Sequence, residues 1–290
     1  MSFFAAEREA CRRLAELALE EDLHAAGDVT SAMLLPSDRK GTAHFVARRE
    51  GVLAGLPAAE LTFALVDPSL VFETLSPEGS PLRPGERLAV VSGCARSILA
   101  AERTALNFVQ RLSGIASLTR RYVDAVAGLP CRVLDTRKTT PGWRLLEKYA
   151  VRQGGGHNHR LGLYDGILIK DNHLAALGDC IDPIAEAIRL ARLKFAGTLP
   201  LEIEVDTLEQ LDSALKARPD IVLLDNMPPS ELRRAVSRRN EIAPAVLLEA
   251  SGGVTLDTLR ALAETGVDRI SVGALTHSAI ALDIALDWQP

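Results

Sequence analysis

The strongest constraint on the fold is an alternation that begins near Cys131 and continues almost to the C-terminus. Short apolar runs ending in polar residues occur at 133–135, 167–171, 201–206, 221–225, 246–250 and 270–273. Between them, stretches with helical spacing occupy 143–152, 184–195, 208–216, 231–239 and 256–264. Apolar strands joined through amphipathic helices describe a parallel sheet buried on both faces, because parallel neighbours need a crossover. Right-handed crossovers leave an open doubly wound sheet or a closed barrel. The polar residues favour the barrel. Run after run ends in chemistry: Arg137 and Lys138, Lys170, Glu204 and Asp206, Asp225, Ser251 with Gly252 and Gly253, then Gly273. Polar groups converging from many strand ends on one mouth are the barrel pattern, whereas an open sheet gathers them at one switch point. The expectation is an α/β chain carrying an open, TIM-like β/α barrel of about six parallel strands, smaller than the usual eight.

The first part of the chain has another texture. Residues 3–23 read as an amphipathic helix, with Leu14, Leu17 and Ala18 three to four apart. Short strand-like runs follow at 44–46, 52–54, 71–74 and 88–91, separated by turn formers such as Gly51, Pro68 and Gly79. A helical stretch over 97–126 is expected in two or three pieces, with Gly114 as break or cap. The two textures mark separate regions, with the regular alternation beginning at Cys131.

Several function classes drop out. A net charge of −5 offers no general basic field for nucleic acid or anionic lipid. Apolar runs of a few residues are too short to span a membrane, and the N-terminus lacks the order of a signal peptide. The four cysteines, at 11, 94, 131 and 180, have neither zinc nor redox spacing. They are expected as small buried hydrophobes in a cytoplasmic protein. No Walker loop, GxGxxG or HExxH is present.

The densest chemistry lies in DTRKTTPGWRLLEKYAVRQGGGHNHRLGLYDGILIKDNH, residues 135–173. Arg137, Lys138, Arg160 and Lys170 fall at consecutive strand ends, so they should share one pocket. Arg binds carboxylate or phosphate through paired N–H groups and Lys adds a point charge, so the pocket suits an anion with more than one acidic group. His159 reads as ligand donor, general acid or loop histidine. Glu204 and Asp225 end later strands and suit metal binding, stabilisation of developing positive charge, or ion pairing with the cations. Glu202 and Asp206 compete with Glu204, since alternation points all three to one face at different depths. Ser251, Gly252, Gly253 and Gly273 suit phosphate-binding turns or plain tight turns. Arg103, alone on a helix, reads as a surface residue.

These motifs resemble one family. The 135–173 block, together with AERTALNFVQRLSGIAS, LEIEVDTLEQL, IVLLDNM, LLEASGGVTLDTL and DRISVGALTHS, is similar in order and over nearly the whole chain to quinolinate phosphoribosyltransferases, the carboxylating nicotinate-nucleotide pyrophosphorylases. The resemblance implies an N-terminal α/β sandwich domain at 1–112, an open β/α barrel at 113–275 and a return of 276–290 to the first domain. It implies conversion of quinolinate and 5-phosphoribosyl-1-diphosphate to nicotinate mononucleotide, diphosphate and CO2, with Mg²⁺, in NAD synthesis. It implies substrate contacts by Arg103, Arg137, Lys138, His159, Arg160, Lys170, Glu204 and Asp225. Ser251, Gly252, Gly253 and Gly273 would hold phosphate. Lys138, Glu204 and Asp225 would be catalytic, the two acids also serving the metal directly or through substrate. It further implies a homodimer, or a higher assembly, in which Arg103 completes the neighbouring subunit's site. A non-carboxylating relative and a non-catalytic anion-binding barrel are the competing readings. The full cation set argues against the first, and the retained acids against the second.

Overall fold

The computed structural model describes residues 3–178, 180–195 and 197–289. The chain divides into two compact units. The first comprises Met1–Arg120, Thr139–Gly155 and Leu275–Pro290; the second comprises Arg121–Lys138 and Gly156–Ala274.

In the first unit the strands are β1 (Lys40–Ala47), β2 (Gly51–Val52), β3 (Val71–Thr74), β4 (Pro81–Leu82) and β5 (Arg87–Cys94). β1 is paired antiparallel on both sides, with β5 and with the C-terminal strand Ile284–Gln289. β3 closes the far edge against β5, and β2 with β4 forms a separate ribbon. The expected return of the C-terminus is therefore a strand of this sheet. Helix Ala5–Leu23 buries Glu7, Cys11, Ala15 and Leu19, a face repeating every four residues. Phe45 packs edge-to-face on Phe63 and Phe72, with ring centroids 6.1 and 5.9 Å apart.

Gly114 neither breaks nor caps a helix. Ala95–Ala125 is continuous, and a Cβ on Gly114 would stand 2.1 Å from the Ile280 carbonyl oxygen. The glycine admits a passing backbone, which Leu282 N–H ties to the Gln110 carbonyl at 2.9 Å. Helix Arg144–Gln153, in the span expected for the barrel, packs within the first unit. There Trp143 stacks on Phe108 at 5.0 Å, and Arg152 pairs with Glu7.

The second unit holds β6 (Arg132–Leu134), β7 (Ile167–Ile169), β8 (Leu201–Val205), β9 (Ile221–Asp225), β10 (Leu247–Ser251) and β11 (Arg269–Ser271). They pair in parallel, in the order β6-β11-β10-β9-β8-β7. Residues 157–159 lie along the other edge of β6: His157 N–H donates to the Val133 carbonyl at 2.9 Å, and Asp135 N–H to the His157 carbonyl at 3.1 Å. His159 Nε2 nevertheless stands 3.0 Å from Glu202 Oε2 on β8. In a flat sheet β6 and β8 would be about 19 Å apart, four strand spacings. The sheet is therefore curled into an open α/β barrel, with residues 157–159 on the seam beside β6.

Two cysteines depart from expectation. Cys11 and Cys131 are buried, but Cys94 is half-buried and Cys180 exposed; all four are free thiols.

Candidate active site

The strands end at a cavity of about 610 Å³ in the second unit, within the range of small-molecule sites. Arg137, Lys138, His159, Arg160, Lys170, Glu204, Asp225, Ser251, Gly252 and Gly253 all line it. Gly273 follows β11 and is not among the lining residues. Arg103 belongs to the first unit, exposed on helix Ala95–Ala125.

Strand order sorts these groups around the mouth. The cations gather at the seam. Arg137 and Lys138 follow β6, Arg160 follows the segment laid along β6, and Lys170 follows β7. Thr136 accepts the Lys138 N–H at 3.0 Å, which turns the chain just past the strand. Arg160 Nη1 donates to the Gly166 carbonyl at 3.0 Å. Burial, then the neighbouring Arg137, hold the Arg160 guanidinium below its usual pKa. Cations crowded this way favour an anion between them. Lys170 Nζ pairs with Glu204 Oε2 across β7 and β8.

The acids occupy the next sector. Glu204 and Asp225 end β8 and β9, and Asn226 Nδ2 donates to Asp225 Oδ2 at 2.7 Å. Of the competitors, Asp206 is exposed beyond β8, with its N–H on Gln210 Oε1 at 2.7 Å. Glu202 lies deeper, 3% exposed inside the barrel. Alternation set the face and the barrel set the depth.

The third sector is the turn after β10. Gly252 and Gly253 have φ of +98° and +56°, conformations that side chains rarely adopt. A Cβ on Gly252 would stand 2.1 Å from Asn226 Oδ1, so that glycine also makes room for the asparagine. Among the described residues neither glycine N–H is taken by a backbone carbonyl, as an anion-binding turn requires.

His159 lies half-buried at the seam. Asp135, fully buried, accepts the His159 N–H at 2.8 Å and the Asn158 amide at 2.7 Å. Nε2 faces Glu202 at 3.0 Å and Glu249 at 3.4 Å, and Nδ1 accepts the Arg160 N–H at 2.8 Å. Burial works against a charged ring; hydrogen bonds to Glu202 and Glu249 outweigh it and raise the imidazole to about 9. The Arg160 amide opposes that pull, because charging the ring requires Nδ1 to release it; with the contact made, the ring is in the neutral Nε2–H form.

Sequence reasoning missed Asn226, Ser271 and Thr136, which also line the cavity. Asn226 had a signal in hindsight: an asparagine directly after a strand-end aspartate, and Asn enters left-handed backbone more readily than most residues. Its φ is +55°.

The chain is similar to known proteins over nearly its whole length. Residues 28–113 match the family described as quinolinate phosphoribosyl transferase, N-terminal domain, and residues 115–287 its C-terminal domain. A nicotinate-nucleotide pyrophosphorylase [carboxylating] of Mycobacterium leprae is 48% identical over 287 residues, 98% of each chain. The solved nicotinate-nucleotide pyrophosphorylase of Francisella tularensis is 39% identical with a TM-score of 0.90, covering 97% of both chains. NadC from Streptococcus pyogenes is 36% identical with a TM-score of 0.91, covering 100% of both.

Proposed function

The chain belongs to the quinolinate phosphoribosyltransferase family, and from that premise we infer its reaction. It is a phosphoribosyltransferase of NAD biosynthesis. It transfers the 5-phosphoribosyl group from phosphoribosyl diphosphate to quinolinate and releases diphosphate and CO2, leaving nicotinate mononucleotide. The observation that carries this reading is the three-sector mouth: cations at the seam, acids on β8 and β9, and a glycine turn after β10.

Each sector suits one part of the chemistry. Quinolinate carries two carboxylates, and Arg137, Lys138, Arg160 and Lys170 supply donors for both. The turn of Ser251, Gly252 and Gly253 takes a phosphate of the donor. As the ring nitrogen bonds to the ribose carbon, the bond from that carbon to diphosphate breaks and the sugar gains positive charge. Glu204 and Asp225 face that charge and stabilise it. The adjacent carboxylate then departs as CO2 and leaves its bonding electron pair on the ring carbon, where the positive charge of the quaternised nitrogen stabilises it until that carbon takes up a proton. Lys138, in the cationic sector, holds the departing carboxylate. No covalent nucleophile is required.

Glu204 and Asp225 are also the residues that would hold Mg²⁺. They do not form a cage by themselves: among the described residues, only His159, Glu202 and Glu249 bring three ligand atoms within 4.8 Å of one another. Two carboxylates beside a diphosphate suit a cation that keeps waters and is bound largely through substrate. When bound, that ion neutralises charge on the leaving diphosphate.

The test is turnover with phosphoribosyl diphosphate and Mg²⁺, offering quinolinate and nicotinate separately. Nicotinate mononucleotide forms from quinolinate. Turnover of nicotinate alone would show a non-carboxylating relative, and binding without turnover would show an anion-binding barrel. Arg103 is proposed to serve the site of a second subunit in a homodimer. Inactive Arg103→Ala and Glu204→Ala subunits, mixed, regain part of the activity; no rescue despite demonstrated subunit exchange would refute the shared site.

A further inference from the structure

Beneath the cavity, inside the barrel, lie two carboxylates that the reaction does not use. Glu202 on β8 is 3% exposed and Glu249 on β10 is 0% exposed. Both reach the same atom, His159 Nε2, at 3.0 and 3.4 Å. Glu249 is also held by the Ser271 hydroxyl and stands 2.7 Å from Arg269 Nε. Burying two acids so close together is costly, and apolar residues of similar volume would avoid the cost. The cost is visible: Glu202 Oε1 is buried with no hydrogen-bond partner among the described residues. Such groups invite a functional explanation.

The geometry supplies one. The His159 backbone is held by Asp135, and inside the barrel Glu202 and Glu249 grip one edge of its ring. The opposite nitrogen, Nδ1, accepts the N–H of Arg160 at 2.8 Å. Ring orientation is thus coupled to the start of the Arg160 residue, whose guanidinium lines the cationic sector. We propose that Glu202 and Glu249 are positioning residues that lock the His159 ring from beneath and, through Nδ1, preset Arg160 for a carboxylate of the acceptor. Neither glutamate touches substrate; both act through the ring. This assignment rests on the reading of the seam sector as the dicarboxylate site. A metal ion at the same three residues is disfavoured, because Arg269 and Ser271 already engage Glu249, and Nε2–H directs a proton at the carboxylates rather than a lone pair at a metal.

The test uses the full-length enzyme and isosteric variants, Glu202→Gln and Glu249→Gln. Steady-state kinetics with quinolinate and phosphoribosyl diphosphate are measured beside thermal denaturation. Each variant is expected to raise KM for quinolinate about tenfold and to leave KM for phosphoribosyl diphosphate within about twofold. In a His159→Ala background the same substitutions add less than about twofold, since their effect runs through the ring. Equal rises in both KM values, or effects that simply multiply in that background, would overturn the proposal in favour of a structural role. One tightly bound equivalent of zinc in the purified wild type would overturn it in favour of a metal site. If Glu249→Gln does not fold, Glu202→Gln carries the test alone. Wild-type turnover of quinolinate in the same assay separates failure of this proposal from failure of the functional reading.

Discussion

Gly252 and Gly253 share one turn, but alanine should cost very different amounts at the two positions. At Gly253, φ is +56° and a Cβ would meet nothing within 4 Å. The cost there is the left-handed backbone alone, about 1–2 kcal/mol. At Gly252, φ is +98° and the Cβ would lie 2.1 Å from Asn226 Oδ1 and 2.5 Å from its Cγ. Asn226 is pinned: its N–H donates to the Ser251 carbonyl at 2.9 Å, and Nδ2 donates to Asp225 at 2.7 Å. To admit the methyl group, the amide must leave the carboxylate. Losing a hydrogen bond to a charged group adds about 1.5–3 kcal/mol, and Asp225 loses its alignment. Gly252→Ala is therefore expected to cost about 3–5 kcal/mol in all, shared between stability and donor binding. Its KM for phosphoribosyl diphosphate should rise at least about tenfold above that of Gly253→Ala, with KM for quinolinate much less affected. Steady-state kinetics on both variants, with circular dichroism to confirm folding, make the comparison. Equal KM values for the donor in two folded variants would refute both the crowding argument and the phosphate role of the turn.

Gly114→Ala should destabilise the protein by about 1–3 kcal/mol, because its methyl group would meet the Ile280 carbonyl; an unchanged melting temperature would contradict the close approach. Lys170→Ala should lower kcat/KM for quinolinate about a hundredfold, since it removes a pocket cation and leaves Glu204 without its partner; Lys170→Arg should recover part of the loss, and wild-type kinetics in Lys170→Ala would remove Lys170 from the site. In native protein, iodoacetamide should label Cys94 and Cys180 and spare Cys11 and Cys131. Burial raises both of the latter thiols to about 12, whereas hydrogen bonds from Ser97 lower Cys94. Labelling of Cys11 before denaturation, read by peptide mass spectrometry, would contradict its burial.

The strand ends were legible because a parallel barrel puts its chemistry there, and ten of the expected residues line one cavity. What escaped the sequence depends on contacts between distant segments. Gly114 looked like a helix breaker, yet its reason is a backbone at Ile280. Alternation placed Glu202, Glu204 and Asp206 on one face, but their depth follows from the barrel: one lies inside, one at the mouth, one in solvent. His159 stayed open among three readings because its partners, Glu202 and Glu249, meet only when the sheet curls. Cys94 and Cys180 resemble Cys11 in composition terms, and only packing separates them.

In the proposed reaction one cavity couples ribosyl transfer to decarboxylation. Quinolinate labelled with ¹⁴C in the carboxylate next to the ring nitrogen tests it most directly, in a single turnover with excess enzyme, phosphoribosyl diphosphate and Mg²⁺. Labelled CO2 and nicotinate mononucleotide are expected in equal amounts, with no CO2 when the donor is omitted. Mononucleotide that retains the label, or CO2 released without the donor, would contradict it.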